Sequence, residues 1–151
     1  MALQLWMDGD ACPAVIKTIL YRAAQRRELM LTVVANQRFS IPKSPWIQFV
    51  EVEAGFDVAD SEIVDRIQAG DIVVTADIPL AAEVVAKNAL ALDPRGTLYS
   101  EKNISDRLQL RDMMAAIRDT GIETGGPPPF KAKDRQNFAN QLDRLLTQRS
   151  L

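Results

Sequence analysis

Short apolar runs alternate with longer segments whose apolar positions recur at helical spacing. Residues 3–7 form the first run, which predicts a buried strand. It stops at two acids, Asp8 and Asp10, and Pro13 then suits the first turn of a helix. Ile16, Ile19, Leu20 and Ala23 carry that helix, while Lys17, Arg22, Arg26 and Arg27 lie mostly off its apolar face. Glu28 ends it, and residues 29–35 read as a second strand, rich in β-branched and aliphatic side chains. This is a βαβ unit with parallel strands.

Residues 36–45 form a polar loop punctuated by Pro42 and Pro45, and residues 46–52 alternate loosely, as an edge strand does. Asp57 suits the N-cap of a second helix through Val58, Ile63, Val64 and Ile67, with Gly70 at its C-cap. Residues 72–75 are the cleanest buried strand. They lead into Asp77 and a third helix over residues 79–87, so the opening order of strand, acid, proline and helix occurs twice. Residues 89–92 read as a fifth strand closed by Asp93-Pro94-Arg95-Gly96. A helix over 103–119 places Ile104, Leu108, Met114 and Ile117 toward a core, and a last helix over 136–146 runs through Phe138, Leu142, Leu145 and Leu146. Together these predict an α/β fold: a three-layer sandwich with a mostly parallel central sheet of about five strands. One domain spans 1–151, with 120–130 a Gly/Pro-rich connection to the last helix.

Composition changes this picture mainly by exclusion. With no histidine, imidazole triads and His-ligated metals are out. A single cysteine excludes an internal disulfide and a Cys-cluster zinc site. Any metal would be held by oxygen, which favours Mg²⁺ or Mn²⁺. No apolar run reaches the roughly 20 residues of a membrane span, and no basic region precedes the first apolar run, so the expected location is the cytoplasm. The net charge of −2 gives no global attraction to nucleic acid, but it is unevenly spread. Residues 1–100 carry 13 acids against 9 bases and residues 101–151 carry 7 against 9, so the acids gather where the strand ends lie.

The first and fourth strands both end in carboxylates. In a parallel sheet those ends share one edge, where ligands bind in open α/β folds. If the strands are neighbours, Asp8, Asp10 and Asp77 converge. Asp57 and Asp60 share a helix face, but geometry alone does not bring that face over the edge. Two carboxylates about 5 Å apart at an effective dielectric of about 20 repel by roughly 3 kcal/mol. Either some take protons or a divalent cation binds. Paired cations can activate water against a phosphodiester.

Several blocks carry a family resemblance. They are Trp6-Met7-Asp8-Gly9-Asp10-Ala11-Cys12-Pro13, Asn36-Gln37, Gly55-Phe56-Asp57-Val58-Ala59-Asp60, Thr75-Ala76-Asp77-Ile78-Pro79, Asp93-Pro94-Arg95-Gly96, Thr124-Gly125-Gly126-Pro127 and Asp134-Arg135-Gln136-Asn137-Phe138. Together they resemble the bacterial YaiI/YqxD family across nearly the whole chain. That family is poorly characterised and similar to PIN-like folds, which many metal-dependent ribonucleases use. The resemblance implies a metal-dependent nuclease, RNA favoured, with Asp8, Asp57 and Asp77 catalytic and Asp8, Asp57, Asp60 and Asp77 as metal ligands. Asp10 has no fixed equivalent in that pattern and joins the metal ligands on its place beside Asp8 at the strand end. The central-helix acid of the pattern matches either Asp57 or Asp60. Asp93 is the nearest match to a further acid, although Pro94 beside it marks a turn.

Each residue also has a plainer role. Asp8, Asp10, Asp57 and Asp77 suit helix caps, and Asp60 can simply favour a helix N-terminus. Cys12 is read as a small buried residue. Arg22, Asn36, Gln37 and Arg38 are substrate-binding candidates, and Lys131, Lys133 and Arg135 a possible RNA-contacting cluster, against solvated roles for all of them. Thr124-Gly125-Gly126 reads as a turn that would otherwise offer amides to an anion. Two alternative functions compete. Asp8-Gly9-Asp10 resembles the nucleophile motif of haloacid-dehalogenase-type phosphohydrolases, but that reading needs a downstream lysine, for which Lys87 is poorly placed, and a late acidic pair. A non-catalytic module binding RNA or protein is the other.

Overall fold

The computed structural model describes residues 3–55, 57–123, 125 and 128–149. Phe56, Thr124, Gly126 and Pro127, which belong to blocks quoted above, lie outside the described residues. The elements are β1 (Leu5–Asp8), α1 (Ala14–Arg27), β2 (Leu31–Ala35), β3 (Ile47–Glu51), α2 (Val58–Arg66) and β4 (Ile72–Val74). Then follow α3 (Ile78–Ala86), β5 (Leu90–Leu92), β6 (Leu98–Tyr99), α4 (Glu101–Asp119) and α5 (Ala132–Arg149). The sheet order is β3-β2-β1-β4-β5-β6. All neighbours are parallel except β5 and β6.

Side-chain alternation sorts the strands onto two cores. Leu5, Met7, Leu31, Val33, Ile72, Val74 and Leu92 face α1 and α5, packing with Ile16, Leu20, Phe138 and Leu142. Trp6, Val34, Val73 and Ala91 face the opposite layer, packing with Ile63, Leu80, Val84 and Ile104 from α2, α3 and α4. This is the three-layer α/β sandwich that the sequence pattern predicts. The β1 strand sits inside the sheet, paired on both sides, so its end is delivered to the middle of the C-terminal edge. The β3 strand is at the edge, as its loose alternation and nearby prolines suggest.

Three sequence expectations change. A sixth strand, β6, pairs antiparallel with β5 over Ala91–Tyr99 and Leu92–Leu98. Two residues are too short to carry a period, so nothing in the pattern marks it. The α2 helix ends at Arg66, with extended Ile67 as C-cap. Gly70, at φ +91°, instead turns the chain into β4, its N–H donating to Asn88 O. In α4 only Ile104 is buried, whereas Met114, Leu110 and Met113 are exposed and Leu108 and Ile117 are half-buried. That helix packs chiefly on α3, so most of its apolar spacing never meets a second layer.

At the N-terminal edge of the sheet, Asp71 is buried, and no ion pair reaches it among the described residues. Its carboxylate accepts from Gln4 N at 3.1 Å, Trp6 Nε1 at 3.1 Å and Gln68 N at 3.0 Å. It thereby joins β1, the end of α2 and β4. Asp71→Ala would strand a buried indole N–H and two backbone donors. It is expected to cost about 3 kcal/mol in urea unfolding, with Asp71→Asn, which keeps an acceptor, costing less.

Candidate metal centre

Parity places the site. Asp8 follows Trp6 by two residues and so faces the α2/α3 layer. Thr75 follows Val73 by two and faces the same way. Because β1 and β4 pair directly, the two side chains meet. The Thr75 hydroxyl donates to Asp8 Oδ2 at 2.9 Å and accepts the Asp77 N–H at 3.0 Å. Asp77 is the N-cap of α3, its Oδ1 accepting from Leu80 N at 3.0 Å. Capping and site geometry are compatible, since that bond occupies one oxygen.

The β3 strand runs parallel to the others, so α2, which follows it, starts at this same edge. That places the helix opening whose position the sequence left undetermined. Asp57 occupies the N-cap position in left-handed backbone, φ 62°, and makes no side-chain cap bond. Aspartate tolerates that conformation better than most residues, and the uncommitted carboxylate turns to the cluster. One oxygen each from Asp57, Asp60 and Asp77 lies within 4.8 Å of the others. These three could hold a metal ion. Asp8 lies beside them and Asp10 stands slightly apart.

Asp10 is exposed, and both its oxygens accept the Asn36 N–H, at 3.1 and 2.9 Å. It braces the loop after β2 rather than capping α1, whose N-cap, Pro13, has no side-chain bond. Gly9 sits between the two acids because a Cβ there would lie 3.0 Å from Val33 Cγ1 and 3.1 Å from Phe39 Cζ. The absent side chain lets the turn lie flat on β2, with Gly9 N–H donating to Val34 O at 2.9 Å.

The electrostatics match the geometry. Burial raises the Asp8 carboxyl, the Thr75 bond opposes this, and Asp77 and Asp10 raise it further. Asp60 is pushed from 3.8 to about 7, first by burial, then by Asp77, Asp8 and Asp57. The Asp8, Asp57 and Asp77 charges thus all bear on Asp60. Burial pushes the Cys12 thiol up to about 12, so it is an inert core residue.

The remaining candidates are dispersed. Arg22 is exposed in the third turn of α1, well along the helix from the edge where α1 begins. Arg38 lies over the Phe49 ring and 3.9 Å from Glu51 on β3. Asn36 meets the site region through its backbone, and Gln37 is an exposed neighbour in that loop. Lys131, Lys133 and Arg135 are exposed at the start of α5. Asp93 is outside the triad, accepting from Arg95 N and the Tyr99 hydroxyl. Lys87 lies at the opposite edge, its ammonium on the Val64 and Ile67 carbonyls, so it cannot serve Asp8 as a phosphohydrolase lysine.

Two residues were missed. The sequence pattern marks Thr75 only as a strand end, although its parity with Asp8 is a readable signal. Arg95, read only as part of a turn, pairs with Asp134 at 2.9 Å and donates to the Pro128 and Pro129 carbonyls. No local pattern announces that contact. Neighbouring Gly96, at φ +96°, must be glycine: a Cβ would lie 2.7 Å from the Asn137 backbone of α5.

The profile of the family described as "Uncharacterized BCR, YaiI/YqxD family" matches residues 6–148. A UPF0178 protein of Shewanella amazonensis is 58% identical over 144 residues, covering 95% of this chain and 97% of its own. Another, of Thioalkalivibrio sulfidiphilus, is 58% identical over 147 residues, covering 97% and 100%. A third, of Hydrogenovibrio crunogenus, is 57% identical over 145 residues, covering 96% of each. No solved structure gives a significant match. Among the described residues no helix is long and apolar enough to cross a membrane.

With its folded-state carboxyl raised to about 7, Asp60 holds a proton that the unfolded chain releases near 3.8. Its contribution to stability is therefore full below about pH 4 and is lost as pH rises through about 7. In metal-free buffer, urea midpoints of the parent are expected to fall across this range. Asp60→Asn should flatten the slope and be the more stable protein at pH 8.

Proposed function

The chain belongs to the uncharacterised YaiI/YqxD family, and we propose that it is a divalent-metal-dependent nuclease acting on RNA. The observation that carries this reading is the Asp57–Asp60–Asp77 cluster, set beside Asp8 at the centre of the sheet edge. Its donor set suits a hard cation such as Mg²⁺ or Mn²⁺, because every donor is an oxygen. The raised Asp60 carboxyl fits the same reading: burial raises it first, and the neighbouring Asp77, Asp8 and Asp57 charges raise it further. A divalent cation supplies the charge that draws in a phosphodiester and acidifies water near neutral pH.

The residues divide the work. Asp57, Asp60 and Asp77 form the cation-holding face. Asp8 has one oxygen fixed by Thr75, which leaves the other for a cation or for the proton of an attacking water. Thr75 is a positioning residue: it ties the Asp8 carboxylate to the backbone of Asp77, so the two strand ends keep their spacing. Asp10 holds the Asn36 loop at the rim. Neither histidine nor a reactive thiol competes for the role of base or nucleophile. The choice of RNA follows from the likeness to PIN-like ribonucleases.

Two measurements bear on this. In calorimetry the parent should bind Mn²⁺ or Mg²⁺, and Asp60→Asn or Asp77→Asn should weaken binding at least tenfold, about 1.4 kcal/mol. With metal, the parent should cleave single-stranded RNA, chelation should stop it, and Asp8→Asn or Asp77→Asn should lower kcat by roughly 100-fold or more. RNA cleavage that survives both substitutions would sink the mechanism. RNA binding without turnover or metal uptake would leave a binding module instead.

A further inference from the structure

A cleft of about 450 Å³ opens beside the aspartates, within the range of sites that take small ligands. One wall contains Ala76 and Ile78, the residues on either side of Asp77, together with the turn into α1. The other contains Tyr99, Arg107 and Phe130. The cleft thus adjoins the chain on either side of Asp77, although none of the clustered aspartates lines it. Its lining is aromatic and apolar with two arginines and one acid, Asp93, whose oxygens are taken by Arg95 N–H and the Tyr99 hydroxyl.

Two arginines border it, and they differ. The charge of Arg95 is spent on Asp134, and its guanidinium is further held by the Pro128 and Pro129 carbonyls. Arg107 is exposed on the first half of α4, and no carboxylate pairs with it among the described residues. Its field reaches Tyr99, where it opposes the rise that burial and Asp93 impose on the phenol. Phe130 is half-buried and steadied by the core and by the Arg95 guanidinium, 5.6 Å from its ring centroid. An arginine outside any ion pair among the described residues, an aromatic wall and a neighbouring cluster of carboxylates together match one ligand chemistry. That chemistry is a base, sugar and phosphate unit whose next phosphate lies at the metal centre.

We propose that this cleft seats one unpaired nucleotide of a phosphodiester strand, with Arg107 as the phosphate contact. The inference rests on the nuclease reading for what occupies the neighbouring centre. A duplex does not fit it, since a paired and stacked base cannot enter a one-nucleotide recess.

Fluorescein-labelled RNA and DNA octamers, single-stranded and duplex, test this by anisotropy in Ca²⁺. Arg107→Ala is expected to weaken single-strand binding about tenfold, the loss of one charge-assisted hydrogen bond, and to lower the salt slope by about 1. Arg107→Lys should recover part of it. Arg111→Ala, on the same helix but paired with Asp112, should stay within about twofold, as a screened surface charge does. Whichever of RNA or DNA binds more tightly identifies the strand. Equal losses for Arg107→Ala and Arg111→Ala, tighter binding of duplex, or no binding of any octamer would overturn the inference. The two readings fail separately. Arg107-dependent binding by a parent that does not cleave removes only the nuclease. Cleavage with a KM indifferent to Arg107→Ala removes only the nucleotide site.

Discussion

Direct parallel pairing of β1 with β4 is the constraint on which the site depends. It sends both strands to the same edge, and the two-residue period then turns Asp8 and Thr75 toward the same layer. The hydroxyl of Thr75 converts that coincidence into a bond, and its second contact, from the Asp77 amide, ties the start of α3 to the same point. A one-residue slip of either strand would turn its residue to the α1/α5 face and dissolve the arrangement.

The two ends of the sheet use the same residue type for opposite purposes. Asp71 is buried and accepts three N–H groups, so its charge is solvated by the fold and serves to tie chain segments together. At the other end, Asp8 has one hydroxyl donor and acidic neighbours, and Asp60 is surrounded by like charge. Burial is common to both ends; the supply of donors is not. A carboxylate that the protein satisfies is structural, and one it leaves wanting positive charge is available for a cation.

The region beyond β5 is organised by Arg95 and Gly96. The guanidinium gathers Asp134 and the Pro128 and Pro129 carbonyls, while the missing side chain of Gly96 lets the hairpin press on α5. Phe138 is thereby sealed into the core from the far end of the chain. Arg95, Pro128 and Phe130 also line the cleft, so these structural contacts fix part of its shape.

Much of this was legible in the chain. Apolar runs ending in Asp8 and Asp77, each followed by a proline and helical spacing, determine strands that deliver acids and helices that begin beside them. The absence of histidine and the single cysteine limit a metal site to oxygen donors. Tertiary structure decided the rest. Only the direction of β3 brings Asp57 and Asp60 to the edge. Only packing shows that Asp10 is held by Asn36, that Asp93 is held by Tyr99 and Arg95, and that much of the apolar spacing of α4 faces solvent. The reason is physical: periodicity records which way a side chain points within its own element, whereas the partner it meets depends on how separate elements are placed in space.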